Sequence, residues 1–139
     1  MFANDLDREI GTLVKKLESG ADFALGQAVF EPHRIELFHK RYHEITGEDL
    51  KLPVLMGLMP LYSPKHARFL HNEIPGISIP DTLMDRMDKA GDKASEEGVK
   101  IAQELLHDMR GMVQGAYIIP AFGRYELVAD VIDSVVVGD

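Results

Sequence analysis

Two polar side chains stand at positions where an unpaired polar group is costly. Gln27 is the only strongly polar residue in the apolar run 23–30 (FALGQAVF). Burying its amide without partners would cost roughly 1–3 kcal/mol, so it pairs either with a polar ring of a ligand or with backbone. Arg124 stands where a helix is predicted to begin, and a cation there opposes the helix dipole. It therefore either meets an anion or carbonyl of a ligand or pairs with an acid such as Glu126.

The histidines and one lysine pair allow further interpretations. His39 and His43 are spaced i, i+4 on a predicted helix, which can bind a metal, but no HExxH motif and no cysteine accompanies them. A solvated helix face explains them better, and we predict no metal site. His66 is predicted one turn into a helix that follows an apolar run, where it can face a pocket. Lys15 and Lys16 end the first predicted helix, where they either stabilise the dipole or contact a phosphate or ribose.

No catalytic motif is present. The sequence has no Gly-x-Gly-x-x-Gly, no P-loop and no Gly-x-Ser-x-Gly, and these are the motifs that would place phosphates or a nucleophilic serine. Glu31 is the only carboxylate at a predicted strand end, so no acid–base pair is assigned. With no cysteine, disulfides, thiolate metal sites and thiol nucleophiles are excluded.

The positions of these residues depend on three apolar runs that predict strands buried on both faces. Helical periodicity precedes and separates the runs, so parallel strands joined by helices are expected. Ligands of such folds bind at the carboxyl ends of the strands. The runs are 23–30, 52–60 and 116–122, and their ends select residues 27–31, 57–65 and 120–125.

Local signals predict where several helices start and stop. Gly47 ends the second helix, and Ser63 caps the third, with Pro64 at its first position. Asp92 is expected to cap the longest helix, which is expected to run to Gly115.

Length and charge limit the class of protein. The chain has 139 residues and a net charge of −8, which predicts one domain and argues against nucleic-acid binding. No apolar run reaches the ~20 residues of a membrane span, and the acidic start is not a signal peptide, so a cytoplasmic protein is expected. Three parallel strands leave two exposed sheet edges. A (βα)8 barrel closes its edges but typically needs ~250 residues, so we expect part of a barrel or a sheet completed by another chain.

Three stretches together resemble the methylenetetrahydrofolate reductase family in their order and spacing. The resemblance covers nearly the whole chain, and it is closest to the reductase part of bacterial bifunctional homocysteine S-methyltransferase/methylenetetrahydrofolate reductases. The stretches are 6–27 (LDREIGTLVKKLESGADFALGQ), 57–80 (GLMPLYSPKHARFLHNEIPGISIP) and 116–127 (AYIIPAFGRYEL), with 90–92 and 97–99 between them.

The resemblance implies that residues 1–139 form the C-terminal part of a (βα)8 TIM barrel: a helix and then three βα units. The open edges would be completed by self-association or by a missing N-terminal half. The implied activity is FAD-dependent reduction of 5,10-methylenetetrahydrofolate to 5-methyltetrahydrofolate, in one-carbon and methionine metabolism. A nicotinamide or another donor would supply the electrons.

The resemblance also implies roles for individual residues. Gln27 and Arg124 match positions that contact the folate, and His66 falls where some members have a folate-contacting glutamine. Leu70 falls where some have an aromatic residue packed on the folate. Positions near the FAD are matched by Glu9, Thr12, Lys15 and Lys16.

The stretches that carry the family's general-acid glutamate and its flavin-side aspartate have no counterpart in this sequence. The resemblance therefore implies a reductase fragment that is inactive alone, with no catalytic residue of its own. The alternative is a non-enzymatic half-barrel that associates with itself or with a partner chain.

Overall fold

The computed structural model describes the backbone of residues 6–138 and the side chains of residues 6–133. Within this range, helices and strands alternate as the hydrophobic pattern predicts. The elements are α1 (Leu6–Glu18), β1 (Ala24–Ala28), α2 (His33–Thr46), β2 (Val54–Leu58), α3 (Pro64–Glu73), α4 (Asp81–Ala90), α5 (Ala94–Asp108), β3 (Gly115–Ile118) and α6 (Tyr125–Gly138). Short 3-10 turns at Gly91–Lys93 and Ala121–Gly123 precede α5 and α6.

The three strands form one parallel sheet in the order β1-β2-β3, which confirms the parallel prediction. The register of β1 against β2 shifts between Leu25 and Ala28. Gly57 faces this irregularity, and a Cβ there would lie 2.7 Å from the Ala28 nitrogen, so only glycine lets the two backbones approach this closely. At this irregular part of β1, the Gly26 carbonyl accepts a hydrogen bond from the Tyr117 hydroxyl of β3.

The prediction that β1 is buried on both faces is wrong. Leu25 is 62% exposed, and Gln27 is exposed as well, whereas Ala28 is buried. β1 is an outer strand, and the described residues leave Leu25 and Gln27 on this face exposed. The central strand β2 meets the expectation better, since Met56 and Leu58 are fully buried.

The core lies between β2 and the helices that follow it. α5 packs on β2, and α4 and α6 pack on α5. At Gly98 of α5, an added Cβ would overlap the carbonyl of Leu61, so the helix lies directly against the loop that follows β2. The largest fully buried side chains include Ile10, Ile35, Met56, Leu58, Leu61, Ile79, Met87, Ile101, Met109 and Val131.

Helix ends agree with the local signals except around α5. Gly47 closes α2 with a left-handed φ of 78°, and the Ser63 hydroxyl accepts a hydrogen bond from the His66 N–H at the start of α3. Asp92 does not cap α5, because it lies inside a 3-10 turn and Lys93 is the residue before the helix. Nor does α5 reach Gly115, which belongs to β3.

Both outer strands keep one unpaired edge within residues 6–138. In that same range, no helix has the length and apolar character to cross a membrane.

Candidate functional site

The carboxyl ends of β2 and β3 bring together three aromatic rings and one cation. After β2, the chain turns at Tyr62 into α3, which carries His66 in its first turn. After β3, it passes through a 3-10 turn containing Phe122 and reaches Arg124 just before α6. We call these four residues, Tyr62, His66, Phe122 and Arg124, the aromatic cluster.

Tyr62 lies at the centre of the aromatic cluster. The His66 ring stacks on it, with centroids 4.1 Å apart and an interplanar angle of 17°. The guanidinium carbon of Arg124 lies over the same ring, 4.4 Å from its centroid. Tyr62 is therefore in contact with both an imidazole and a guanidinium. The guanidinium gains a cation–π interaction from this arrangement.

His66 is the one buried polar side chain among the described residues, at 3% exposure. Its Nδ1 accepts a long hydrogen bond from the Tyr62 backbone N–H, at 3.4 Å. Burial lowers the pKa of His66 to about 4, and the charge of Arg124 acts in the same direction. The imidazole is therefore neutral at physiological pH, with Nδ1 as an acceptor.

Arg124 does not begin a helix as the sequence predicted; it precedes α6, and its N–H donates to the Ala121 carbonyl at 3.1 Å. The 3-10 turn of 121–123 lies between β3 and α6, so α6 begins one residue later, at Tyr125. Arg124 is exposed, and the described residues give it no carboxylate partner. The proposed pairing with Glu126 is not found there. The guanidinium is thus available to an anion or carbonyl oxygen.

Phe122 completes the cluster in an unusual conformation. Its backbone has φ 51° and ψ 38°, a left-handed region that bulky residues rarely adopt. Its ring is 80% exposed, yet it meets Tyr62 edge-on at 6.1 Å and His66 at 6.4 Å between centroids. A planar ligand that approached Arg124 would therefore also meet an aromatic ring.

Gln27 lies at the carboxyl end of β1, where its side chain is exposed rather than buried. The cost of an unpaired buried amide therefore does not apply to it. The loop between α3 and α4 lies against the amide, since a Cβ on Gly76 would overlap the Gln27 Oε1. Gly76 has φ 86°, so glycine suits both the backbone and the contact. No described hydrogen bond or ring contact joins Gln27 to the aromatic cluster.

A cavity of about 810 Å³ lies between α1, β1 and α2, within the size range of small-molecule sites. It joins Gln27 to three of the four α1 residues singled out from the sequence, namely Glu9, Thr12 and Lys16. Its wall is otherwise largely apolar and includes Phe23, Leu25, Phe38 and Met56, with Arg8 as a further cation.

Lys15, the fourth of these α1 residues, does not line this cavity. Lys15 lies with Lys16 along a shallower groove at the end of α1. The Thr12 hydroxyl donates to the Arg8 carbonyl at 3.0 Å, so its remaining hydrogen-bonding capacity is as an acceptor.

The histidines of α2 have separate partners. His39 Nε2 lies 2.8 Å from the Met112 carbonyl, and His43 Nδ1 lies 2.9 Å from Asp49. Throughout residues 6–133, no group of three or more histidine, aspartate or glutamate side chains is arranged to hold a metal ion.

Sequence reasoning missed Tyr62 and Phe122. Each follows a proline at a strand end, Pro60 and Pro120, and this placement was the available signal. The ring contacts depend on two loops distant in sequence, which periodicity does not specify.

Comparison with known proteins gives a family match. The model of the family described as methylenetetrahydrofolate reductase matches residues 2–132. The chain belongs to the methylenetetrahydrofolate reductase family. Methylenetetrahydrofolate reductase 2 of Schizosaccharomyces pombe is 26% identical over 124 residues, covering 82% of this chain. The chain spans 19% of the length of that relative.

Membership in the methylenetetrahydrofolate reductase family accords with the observed topology. An α/β chain with three parallel strands and flanking helices is compatible with part of a TIM barrel. The family match thus confirms the coarse assignment made from the three sequence stretches.

Proposed function

We propose that this chain supplies part of the folate and FAD site of a methylenetetrahydrofolate reductase. The single observation that carries the proposal is the family match over residues 2–132. It is supported by the cluster of groups at the carboxyl ends of the parallel strands, where α/β folds bind ligands. The reaction is the reduction of 5,10-methylenetetrahydrofolate to 5-methyltetrahydrofolate. We also propose that the chain is related to the reductase part of bacterial proteins that join this activity to a homocysteine methyltransferase.

The three strands are proposed as the last three of a (βα)8 barrel. The unpaired edges of β1 and β3 support this, because a barrel would pair both of them. The strands before β1 would come from an N-terminal half.

Three residues are proposed to bind the folate. The Gln27 amide is exposed beside Gly76 and offers both a donor and an acceptor to a polar ring. Arg124 offers guanidinium N–H groups to a carbonyl or carboxylate oxygen. His66 is neutral and buried under Tyr62, so we propose that it supports the pocket wall rather than donating a proton.

The cavity beside α1 fits a flavin nucleotide in chemical character, because an apolar wall with aromatic rings is combined with the cations Arg8 and Lys16. FAD, when bound, supplies hydride transfer to the folate. We propose that Lys15 and Lys16 stabilise its phosphates, while Glu9 and Thr12 accept hydrogen bonds from its hydroxyl groups.

The proton donor is proposed to lie outside this chain. Opening the methylene bridge to the iminium that accepts the hydride needs an acid that protonates the leaving nitrogen. His66, with its pKa lowered to about 4, is a poor proton donor at neutral pH. We therefore expect the chain to be inactive alone, and a nicotinamide or another donor to reduce the flavin in the completed enzyme.

The test is a titration of the 139-residue chain with FAD, followed by gel filtration and a visible spectrum. A flavin spectrum that co-elutes with the protein, and is lost in a Lys15→Ala/Lys16→Ala variant, supports the FAD assignment. Lys100→Ala, on the exposed side of α5, is the matched control. A colourless protein peak would overturn the assignment for this chain.

The folate assignment is tested separately by calorimetric titration with 5-methyltetrahydrofolate. Gln27→Ala is expected to weaken binding by about three- to tenfold, the loss of one or two hydrogen bonds. Gln103→Ala is the control, because the Gln103 amide donates to the Asp130 carbonyl on α6. Equal affinities for the Gln27→Ala variant and the unmodified chain would remove Gln27 from the site.

A second candidate function is a non-enzymatic half-barrel that associates through its open sheet. The favouring observation is the exposure of Phe23 and Leu25, at 57% and 62%, beside the free edge of β1. The 810 Å³ cavity runs along this strand, so a strand from a second chain would occupy space that the first proposal gives to FAD. If FAD and self-association compete in sedimentation experiments, both occupants use this cavity.

A further inference from the structure

We propose that Tyr62 and His66 are positioning residues that hold the Arg124 guanidinium for a carbonyl or carboxylate oxygen of the folate. The inference rests on the proposed folate site and adds to it the means by which its cation is held. The three side chains form one stack around the Tyr62 ring, on which the imidazole stacks and over which the guanidinium lies, across the loops that follow β2 and β3.

The first step is that His66 is fixed. Its side chain is buried at 3% exposure, and its backbone N–H donates to the Ser63 hydroxyl at 3.0 Å. An imidazole held this way at the start of α3 is a rigid platform for the ring stacked on it.

The second step is that Tyr62 is fixed by His66. The rings are nearly parallel, and the Tyr62 backbone N–H donates to the His66 Nδ1. A Tyr62 ring that is stacked on an imidazole and joined to it by the Tyr62 backbone has few alternative rotamers, so the ring keeps one orientation.

The third step is that Arg124 depends on Tyr62. The Arg124 backbone is held by hydrogen bonds to Ala121 and Leu127, but its exposed side chain lies over the Tyr62 ring. An arginine side chain loses rotamer entropy when it is ordered. Stacking in the unliganded protein meets part of that cost before a ligand arrives.

While His66 is neutral, Arg124 carries the single positive charge among the three stacked side chains. Three groups surround the His66 imidazole. The charge of Arg124 lowers the pKa of His66, the Tyr62 ring stacks on it, and the Phe122 ring lies edge-on to it. A protonated His66 would place a second cation against the same Tyr62 ring as Arg124. The stack is therefore expected to hold at neutral pH and to loosen when His66 takes up a proton.

The first test is NMR of the Arg124 side chain in the full 139-residue protein. A guanidinium over an aromatic face has its Hδ and Hε resonances shifted upfield. Tyr62→Phe should keep this shift, Tyr62→Leu should abolish it, and acidification through the His66 titration should reduce it. Phe69→Leu, which removes a 46% exposed ring of α3 outside the cluster, should leave it unchanged.

Unchanged Arg124 resonances in a folded Tyr62→Leu variant would overturn the positioning role. The His66→Gln variant gives a second reading, because loss of the stacked imidazole should reduce the upfield shift at neutral pH and remove its dependence on acid. A shift whose acid dependence survives in His66→Gln would also overturn the role of His66.

The second test is calorimetric titration with 5-methyltetrahydrofolate. Tyr62→Leu should weaken binding by roughly two- to thirtyfold, the range of a cation–π interaction, and Tyr62→Phe should restore most of the affinity. Equal affinities of Tyr62→Leu and the unmodified chain overturn the inference. If the unmodified chain shows the upfield shift but binds no folate, the stack stands and the proposed folate function fails.

Discussion

At His66, burial and a neighbouring cation act on the same imidazole in the same direction. Both favour the neutral ring, and together they lower its pKa from 6.5 to about 4. The unfolded chain, which has neither, binds a proton at higher pH. Between these two pKa values the unfolded state holds more protons than the folded state, so stability falls as pH falls.

We therefore predict an acid sensitivity specific to His66. Lowering the pH from 7.5 to 4.5 should remove about 2–3 kcal/mol of unfolding free energy through this residue. Urea unfolding at both pH values measures it. His66→Gln is the control for the carboxylates that titrate in the same range, and its loss over the interval should be smaller by that amount. Identical losses in the two proteins would contradict the prediction.

Sequence reasoning reached part of the candidate site at this scale. His66 and Arg124 were singled out, and the structure brings both of them against the ring of Tyr62. Tyr62 itself and Phe122 were not, because their contacts arise between two loops some 60 residues apart. Gln27 was assigned to a buried strand, but its exposure depends on β1 being an outer strand, a property of sheet order rather than of local pattern.

At the level of the elements, α5 is placed by its contact with the loop after β2. Gly98 lets the helix backbone meet the Leu61 carbonyl, and Leu61 is fully buried. This loop continues directly into Tyr62, so the packing of α5 also sets the base of the aromatic cluster.

Gly98→Ala is predicted to destabilise the protein by at least about 2 kcal/mol, because neither backbone can yield without moving the core. The intrinsic helix preference for alanine, about 1 kcal/mol, acts in the opposite direction and is too small to offset this. Gly11→Ala is the matched control, since a Cβ at this position in α1 meets nothing within 4 Å. That substitution should be neutral or stabilising in thermal unfolding.

Ser63→Ala should cost about 1 kcal/mol through loss of the α3 cap. The hydroxyl accepts from the His66 N–H, so the end of the helix that carries His66 should fray. Hydrogen exchange at the His66 amide reports this locally. Ser19→Ala removes a hydroxyl bonded to the Lys15 carbonyl at an exposed helix end and should leave α3 unaffected.

Strands and most helix boundaries were predictable because apolar runs and proline or glycine signals are local. β2 and β3 begin and end within a few residues of their predicted runs. The limits of α5 were not, because the 3-10 turn at Gly91–Lys93 takes the place of an Asp92 cap. The helix also stops at Asp108, although apolar residues at helical spacing continue to Val113.

At the scale of the whole molecule, the sheet formed by the described residues has two unpaired edges. The described chain forms three strands in the order β1-β2-β3, and apolar side chains of β1 face outward. An exposed edge with apolar neighbours favours pairing with another strand, whether from the remainder of a barrel or from a second copy.

We predict that Leu25→Lys reduces any self-association of the chain without unfolding it. Leu25 is 62% exposed, so the substitution should change stability by less than about 1 kcal/mol, while a buried lysine would oppose an interface. Sedimentation velocity across a concentration series measures it. Leu37→Lys serves as the control, since Leu37 is 53% exposed on α2. Equal association of the two variants would place the contact elsewhere.

The left-handed backbone at Phe122 sets stability and ligand contact against each other. A residue other than glycine in this region costs roughly 1–2 kcal/mol, so Phe122→Gly should relax the turn before α6. The same change would remove the one ring of the aromatic cluster that faces solvent. A library selected only for thermal resistance should therefore enrich glycine at this position, whereas a library selected for folate binding should retain an aromatic residue.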